Sequence, residues 1–419
     1  MTPASRTRKP RRNLLPALLS GALFACGTAL ASEGGLDREV RFATFNASLN
    51  RGSEGALAAE LADSGSAQPA VIAEIIQRVR PDVLLINEFD YDAAGLAAQL
   101  FRSNYLGVSQ SGQEPLDYPF YFVAPSNTGV PSGLDLDNDG NLDGDPDDAF
   151  GFGFFPGQYG MVVYSRYPID RDKLRSFQHF LWQDMPGALL PDDPNTPQAQ
   201  DWYSQEELQA VRLSSKSHWD VPVAINGRTV HLLASHPTPP VFDGPEDRNG
   251  KRNHDEIRFW ADYLRPGPRS NYIYDDNGDY GGLRAGALFV LAGDMNADPY
   301  DGDSAADAAN QLLRHPRINT RATPDSLGGP DASARQGENN LTHNGDPAYD
   351  TADFAEASFG GPGNLRVDYV LPSRSLRIVD AGVFWPEATD PLFAPLVGDY
   401  PFPSSDHRLV WIDIRVGAF

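Results

Sequence analysis

A chain of 419 residues with 57 acidic against 34 basic residues and a formal net charge of −23 is too acidic for loose electrostatic adhesion to nucleic acid or an anionic membrane, which rests on Lys and Arg neutralising phosphates. Phosphate chemistry is still open to it, because a bound metal ion supplies positive charge locally and an acidic protein is a natural host for one. The one cysteine, Cys26, leaves no disulfide within the chain.

Arg6, Arg8, Lys9, Arg11 and Arg12 precede an apolar stretch from Leu14 that closes on Ala29-Leu30-Ala31. This is the pattern of a secretory signal peptide over residues 1–31 and predicts a secreted or periplasmic protein. Pro16, Ser20 and Gly21 interrupt the run, which disfavours a retained membrane span. Arg11-Arg12-Asn13-Leu14-Leu15 also fits a twin-arginine signal. Leu23-Phe24-Ala25-Cys26-Gly27 loosely resembles a bacterial lipobox with a poorly fitting Phe24, so a lipid anchor at Cys26 is the alternative. Removing the segment takes away those five basic residues and no acidic one, so the net charge moves from −23 to −28.

Residues 32–419 read as one domain without a repeat period or dividing linker. Short apolar runs at 40–45, 82–86, 118–123, 161–164, 221–225, 229–234, 287–292, 365–371 and 408–414 read as strands. Asn226-Gly227 predicts a tight hairpin, since both turn positions accept positive φ. Helices are predicted at about 68–80, 91–102 and 251–264, the last with Ile257, Trp260, Ala261 and Leu264 as its apolar stripe. Stretches at about 110–158, 183–220, 265–285 and 300–362, rich in Gly, Pro, Asp and Asn, read as long inserted loops. Many strands with a few helices predict two packed sheets flanked by helices.

Within 133–151, Asp135, Asp137, Asp139, Asn141 and Asp143 follow the spacing of a calcium loop, with Gly140 at its sixth position. Position 12 is Pro146 where such loops place a bidentate Glu. Structural Ca²⁺ and a merely solvated acidic loop are both open readings. "DDNGDYGG" at 275–282 reads as a turn.

Polar residues recur at strand ends: Asn46, Glu88, His236, Asp294 with Asn296, Asp368, and Asp406-His407. Strand alternation predicts that Asp294 and Asn296 project to one side. Turn capping by Asp, Asn and Pro is the plainer account of that stretch. His231 and His236 should face opposite ways, which makes His231 structural. Arg248, Arg252 and His254 read as a solvated helix start, or else as contacts to a second phosphate or headgroup.

The set "TFN", "PDVLLINEFD", "GDMNADP", "RVDYVL" and "SSDHRLV", in this order across 41–410, resembles the endonuclease/exonuclease/phosphatase superfamily, DNase-I-like. The resemblance implies a four-layered α/β sandwich and divalent-metal-dependent hydrolysis of phosphate esters, with Mg²⁺ or Mn²⁺ as the catalytic cofactor. It makes Asn46 and Glu88 metal ligands and Asp406 a further metal-site carboxylate. Asp294 orients or deprotonates the attacking water, and Asn296 donates to the phosphate. His407 is a phosphate-side histidine oriented by Asp368, and His236 stands near the leaving group. A phosphate ester, with nucleic acid as one candidate, is the implied substrate, and stable nucleic-acid binding is not expected. Diester cleavage is favoured by His236, because a poor alkoxide leaving group benefits from a proton. Monoester hydrolysis of sugar, nucleotide or inositol phosphates is the alternative. A non-catalytic calcium-binding protein on the same fold is the alternative of another class, opposed by the intact polar set.

Overall fold

The structure is a computed structural model that describes residues 37–141, 144–354 and 360–418. The segment expected as a signal peptide, Cys26 and Asp143 lie outside the described residues. Thirteen strands are present among the described residues: β1 (Arg38–Leu49), β2 (Val83–Phe89), β3 (Phe120–Phe122), β4 (Met161–Ser165), β5 (Arg175–Ser176), β6 (His218–Ile225), β7 (Arg228–Ser235), β8 (Leu288–Asp294), β9 (Ala352–Asp353), β10 (Asn364–Leu365), β11 (Asp368–Pro372), β12 (Arg377–Val383) and β13 (Val410–Val416). They form a sheet ordered β12-β13-β1-β2-β4-β3, a second ordered β11-β8-β7-β6-β5, and a small β9–β10 pair.

Among the described strands only β1–β2 and β7–β8 pair in parallel, and a parallel pair needs a crossover over the sheet face. The helix Ala67–Val79 supplies the first and the helix Arg248–Tyr263 the second. Each lies on the outer face of its own sheet. Alternation along β8 shows why this works: Leu288, Val290 and Ala292 point between the sheets, while Phe289 and Leu291 meet Ile257 and Trp260 on the outer side. Layer order is therefore helix, sheet, sheet, helix: a four-layered α/β sandwich.

Local chemistry sets the element ends. Ala67–Val79 stops at Arg80, which adopts the left-handed conformation (φ 58°) just before Pro81. The Asn226-Gly227 hairpin forms with both turn residues at positive φ. The helix expected from 91 starts only at Leu96, because the Asp92 carboxylate caps the N–H groups of Leu96 and Ala97. The expected strand 365–371 is broken into β10 and β11, because the Thr351 hydroxyl takes the N–H groups of Val367 and Asp368. Two stretches expected as loops hold regular structure. His218–Trp219 already belong to β6, and the helices Gln205–Leu208 and Gly328–Gln336 fall inside 183–220 and 300–362. The edge strand β12, "RIVDAGV", was not expected, since its exposed mixed pattern carries little apolar signal. No described helix is long and apolar enough to cross a membrane.

The 300–362 insertion carries a measurable cost. Asp350 is buried, and that burial together with Asp298, Asp301 and Asp346 pushes its carboxyl up to about 8. An acid with a raised folded-state value keeps its proton when the unfolded chain has lost it, so stability declines as pH rises from about 4 to 8. Asp350→Asn is expected to stabilise the fold by about 1–3 kcal/mol near pH 8 and to change it little near pH 4. Urea titration at the two pH values checks this; equal stability of the two proteins near pH 8 would remove it.

Candidate functional site

Strand register assembles the cluster. In the β8–β11 ladder Asp294 lies directly opposite Asp368, and in the β1–β2 ladder Asn46 lies opposite Asn87, one residue before Glu88. The Ala352–His407 bridge holds the His407 segment against this end of the sheets. Asn87 links the layers: its side-chain oxygen accepts from Asp294 N–H and its amide donates to the Ser235 carbonyl.

Asp294 is the hub. Its Oδ2 lies 3.1 Å from Asn46 Nδ2, 3.4 Å from His236 Nε2 and 3.6 Å from His407 Nε2, and its Oδ1 accepts from the Asn296 N–H. Burial raises the cost of its charge, but His407 and His236 more than offset that and hold the carboxyl well below its usual range. His407 donates through Nδ1 to Asp368 Oδ2 at 2.9 Å. Burial opposes charge on that ring, yet Asp368 and Asp294 on either side raise it well above an ordinary histidine. Asp368 is pushed up to about 6 by burial and by Asp294, against the pull of His407. At neutral pH the trio is thus an imidazolium between two carboxylates. His236 goes the other way: burial and the nearby Lys216 lower it, and its Nδ1 is buried without a partner. It is neutral at neutral pH, so the proton available to an oxygen in this pocket sits on His407.

A family of this kind implies a divalent cation, and the donors here suit one. Asn46 Nδ2 lies 3.1 Å from both Glu88 Oε1 and Asp294 Oδ2, so two carboxylates and an amide converge at one point. Asn50 holds the other Glu88 oxygen at 2.8 Å. Asp406 flanks Asn46 through Ser405, whose hydroxyl meets the Asn46 carbonyl at 2.8 Å and Asp406 Oδ1 at 3.3 Å. Glu88 and Asp294 offer carboxylate oxygens, the ligand type of a hard cation such as Mg²⁺, whereas Asn46 turns its amide nitrogen to them and its Oδ1 to the Ser48 N–H. Glu88 also holds a left-handed backbone (φ 55°), which is uncommon for a non-glycine residue inside a strand.

Of the expected site residues, Asn46, Glu88, His236, Asp294, Asp368 and His407 are brought together, and Asn296 joins them by another route than expected. The strand ends at Asp294, and Asn296 turns left-handed (φ 49°), with its amide nitrogen 3.1 Å from the Pro237 carbonyl. An Asx turn, not strand alternation, sets its position. Asn253 pins the same loops by donating to the carbonyls of Thr238 and Met295. His231 sits away from the cluster against Asp220 at 2.6 Å, as a structural pair. The solvated helix start is corrected. Arg248 and Arg252 turn inward and line a cavity of about 540 Å³ that Glu88 and His236 also border, whereas His254 pairs with Asp255. Lys216, Asn87 and Asn50 escaped the sequence reading. Lys216 carried one signal, being one of only four lysines and set just before β6.

In the acidic loop, Asp135 and Asp137 receive the Asp139 N–H, and ligand atoms of Asp135, Asp137 and Asp139 lie within 4.8 Å of one another. Asp137 also converges with Asp145 and Asp147, the residues on either side of Pro146.

Sequence comparison matches the Endonuclease/Exonuclease/phosphatase family over residues 43–407. No curated protein matches the chain in sequence. Among solved structures, an endonuclease/exonuclease/phosphatase from Beutenbergia cavernae is similar at 19% identity, covering 91% of this chain and 72% of that one, with a TM-score of 0.48. Truncated TDP2 from Caenorhabditis elegans is similar at 15% identity, covering 90% and 98%, with a TM-score of 0.41. A beta toxin variant from Staphylococcus aureus with bound magnesium ions is similar at 12% identity, covering 90% and 99%, with a TM-score of 0.42. With a family match that runs from the first strand to the histidine beside Asp294, this chain belongs to the Endonuclease/Exonuclease/phosphatase family.

Proposed function

We propose that this protein hydrolyses phosphate diesters, with Asn46, Glu88 and Asp406 holding Mg²⁺ or Mn²⁺. The observation that carries the reading is the meeting of Asp294 with His407 and Asn46 on one carboxylate oxygen. When bound, the cation stabilises charge on the phosphoryl oxygens and the leaving alkoxide. Asp294, with its low proton affinity, is a weak base and acts chiefly by orienting the attacking water. His407, kept cationic by Asp368, faces the anionic phosphate and has a proton to give to the departing oxygen. His236 and Asn296 complete the wall as neutral donors. The substrate class includes nucleic acid in short or single-stranded form, since the acidic chain offers little for long-range duplex binding. The N-terminal pattern at 1–31 favours a secreted or periplasmic setting.

Purified protein is expected to hydrolyse bis(p-nitrophenyl) phosphate and to cut a short single-stranded oligonucleotide in Mg²⁺ or Mn²⁺, and to stop on chelation. Cleavage of p-nitrophenyl phosphate alone would favour the monoesterase reading, which the shortage of basic residues supports. No hydrolysis of any of these esters with either metal would leave the non-catalytic reading standing.

For the acidic loop we propose structural Ca²⁺, held by Asp135, Asp137 and Asp139 with Asn141 and Asp143. Asp145 and Asp147 compensate for the missing glutamate at position 12. Titration calorimetry should show Ca²⁺ uptake that is lost in an Asp137→Ala, Asp139→Ala variant. Equal uptake by both proteins would sink the assignment.

A further inference from the structure

The cavity next to the catalytic cluster has the chemistry of a second recognition site. At about 540 Å³ it is the size of small-molecule pockets. Phe150, Phe152, Tyr159, Tyr203 and Val241 give it aromatic and apolar walls, and Glu88 and His236 join it to the phosphate-cleaving end. Four cations also line it: Lys216, Arg212, Arg248 and Arg252. In a chain with net charge −23 each should find a carboxylate easily. Arg248 does, at 3.0 Å from Asp147. Among the described residues, the other three have no carboxylate within 4 Å.

Their surroundings are specific. Arg252 donates through Nε and Nη2 to the backbone carbonyls of Leu213, Phe150 and Arg212, which take three of its five N–H groups and do not neutralise its charge. Arg212 donates to Asn127 Oδ1 and lies 3.9 Å over the Phe150 ring. Lys216 is 6% exposed, and no hydrogen bond from its ammonium is present among the described residues. Glu256, Glu88 and Asp294 attract Lys216 from beyond 4 Å, and Glu256 does the same for Arg252, but the Glu256 oxygens already accept the N–H groups of Ser215 and Thr238. The hydroxyls of Ser215 and Thr238, on the cavity lining, are buried without partners. A buried cation without a contact ion pair keeps part of its desolvation cost, and an entering anion offsets it. Burial lowers Lys216 in agreement with this picture.

We propose that this cavity receives the organic part of the substrate, and that the substrate is a small phosphate diester carrying a flat aromatic group and a second anionic group, whose organic part a nucleoside bisphosphate imitates without the scissile diester. Lys216, Arg212 and Arg252 take the second anion, and the Phe150, Phe152 and Tyr203 side takes the ring. A choline-type headgroup is disfavoured, because its quaternary ammonium would face three cations. The inference rests on the phosphoesterase reading for the word substrate, but its test does not require turnover.

Titration calorimetry of metal-free protein with adenosine 3′,5′-bisphosphate, adenosine and choline phosphate decides it. The bisphosphate is expected to bind at least about 10-fold tighter than either of the others, with Lys216→Met and Arg212→Met each weakening it at least about 10-fold and Lys216→Arg restoring most of the affinity. No binding of the bisphosphate, equal binding of choline phosphate, or unchanged affinity in both folded Met variants would overturn the proposal. If circular dichroism shows the Met variants unfolded, the contrast among the three ligands on the unmodified protein decides alone. Binding of the bisphosphate with no hydrolysis of bis(p-nitrophenyl) phosphate would remove the phosphodiesterase reading and keep the cavity; hydrolysis of that diester without this binding would do the reverse.

Discussion

Replacement of Asp294 by alanine is expected to reduce metal-dependent phosphate ester hydrolysis by at least about 100-fold, which is close to 2.7 kcal/mol of transition-state stabilisation. The size follows from position. One oxygen of this carboxylate meets Asn46, His236 and His407 at 3.1–3.6 Å, and the other fixes the Asn296 turn, so its removal withdraws the water-orienting group and loosens three partners. Asp294→Asn is the sharper test, since it keeps the shape and discards the charge. Steady-state kinetics on bis(p-nitrophenyl) phosphate, with circular dichroism to show that the variant is folded, gives the answer. A variant with more than about a tenth of the normal rate would end the assignment of Asp294 to the water.

The second large effect is expected at His407. Its replacement by alanine removes the one imidazolium of the cluster and should also lower turnover by about 100-fold or more. The pH profile separates a charged role from simple packing. Asp368 must be ionised to keep His407 positive, and burial with Asp294 pushes that carboxyl up to about 6. Activity should therefore be present above about pH 6 and decline below it as Asp368 takes up a proton. In Asp368→Asn the rate should already be low at neutral pH, without an acid limb near that value. An unchanged limb in this variant would show that another group titrates, and normal turnover in His407→Ala would remove the histidine from the mechanism.

Much of the architecture was legible because it rests on local rules. Apolar runs such as 287–292 could only be buried strands, and Asn226-Gly227 could only be a tight turn. The crossover helices showed their stripes, with Ile257 and Trp260 now packed on Phe289 and Leu291. Elements governed by a distant side chain were not legible. Thr351 breaks the 365–371 strand from 15 or more residues away, and Asp92 delays a helix start that composition alone would place earlier.

The same division runs through the site. By itself the sequence determined which residue types stand at the strand ends, because Asn46, Glu88 and Asp294 close apolar runs, Asp368 opens one and His407 stands just before the last. It did not determine their electrostatics. Asp294 is held low and Asp368 high although both are aspartates on neighbouring strands, because one has two histidines around a single oxygen and the other chiefly has burial. His236 and His407 diverge for the same reason, one beside Lys216 and the other between two carboxylates. The cavity was invisible in the chain, since Arg212, Lys216 and Arg252 face it from a loop and a helix whose local patterns are those of a solvated surface. Periodicity reports the face a residue takes on its own element, whereas a proton affinity or an unpaired charge depends on distances to residues far along the chain, and only the packed sheets and helices set those distances.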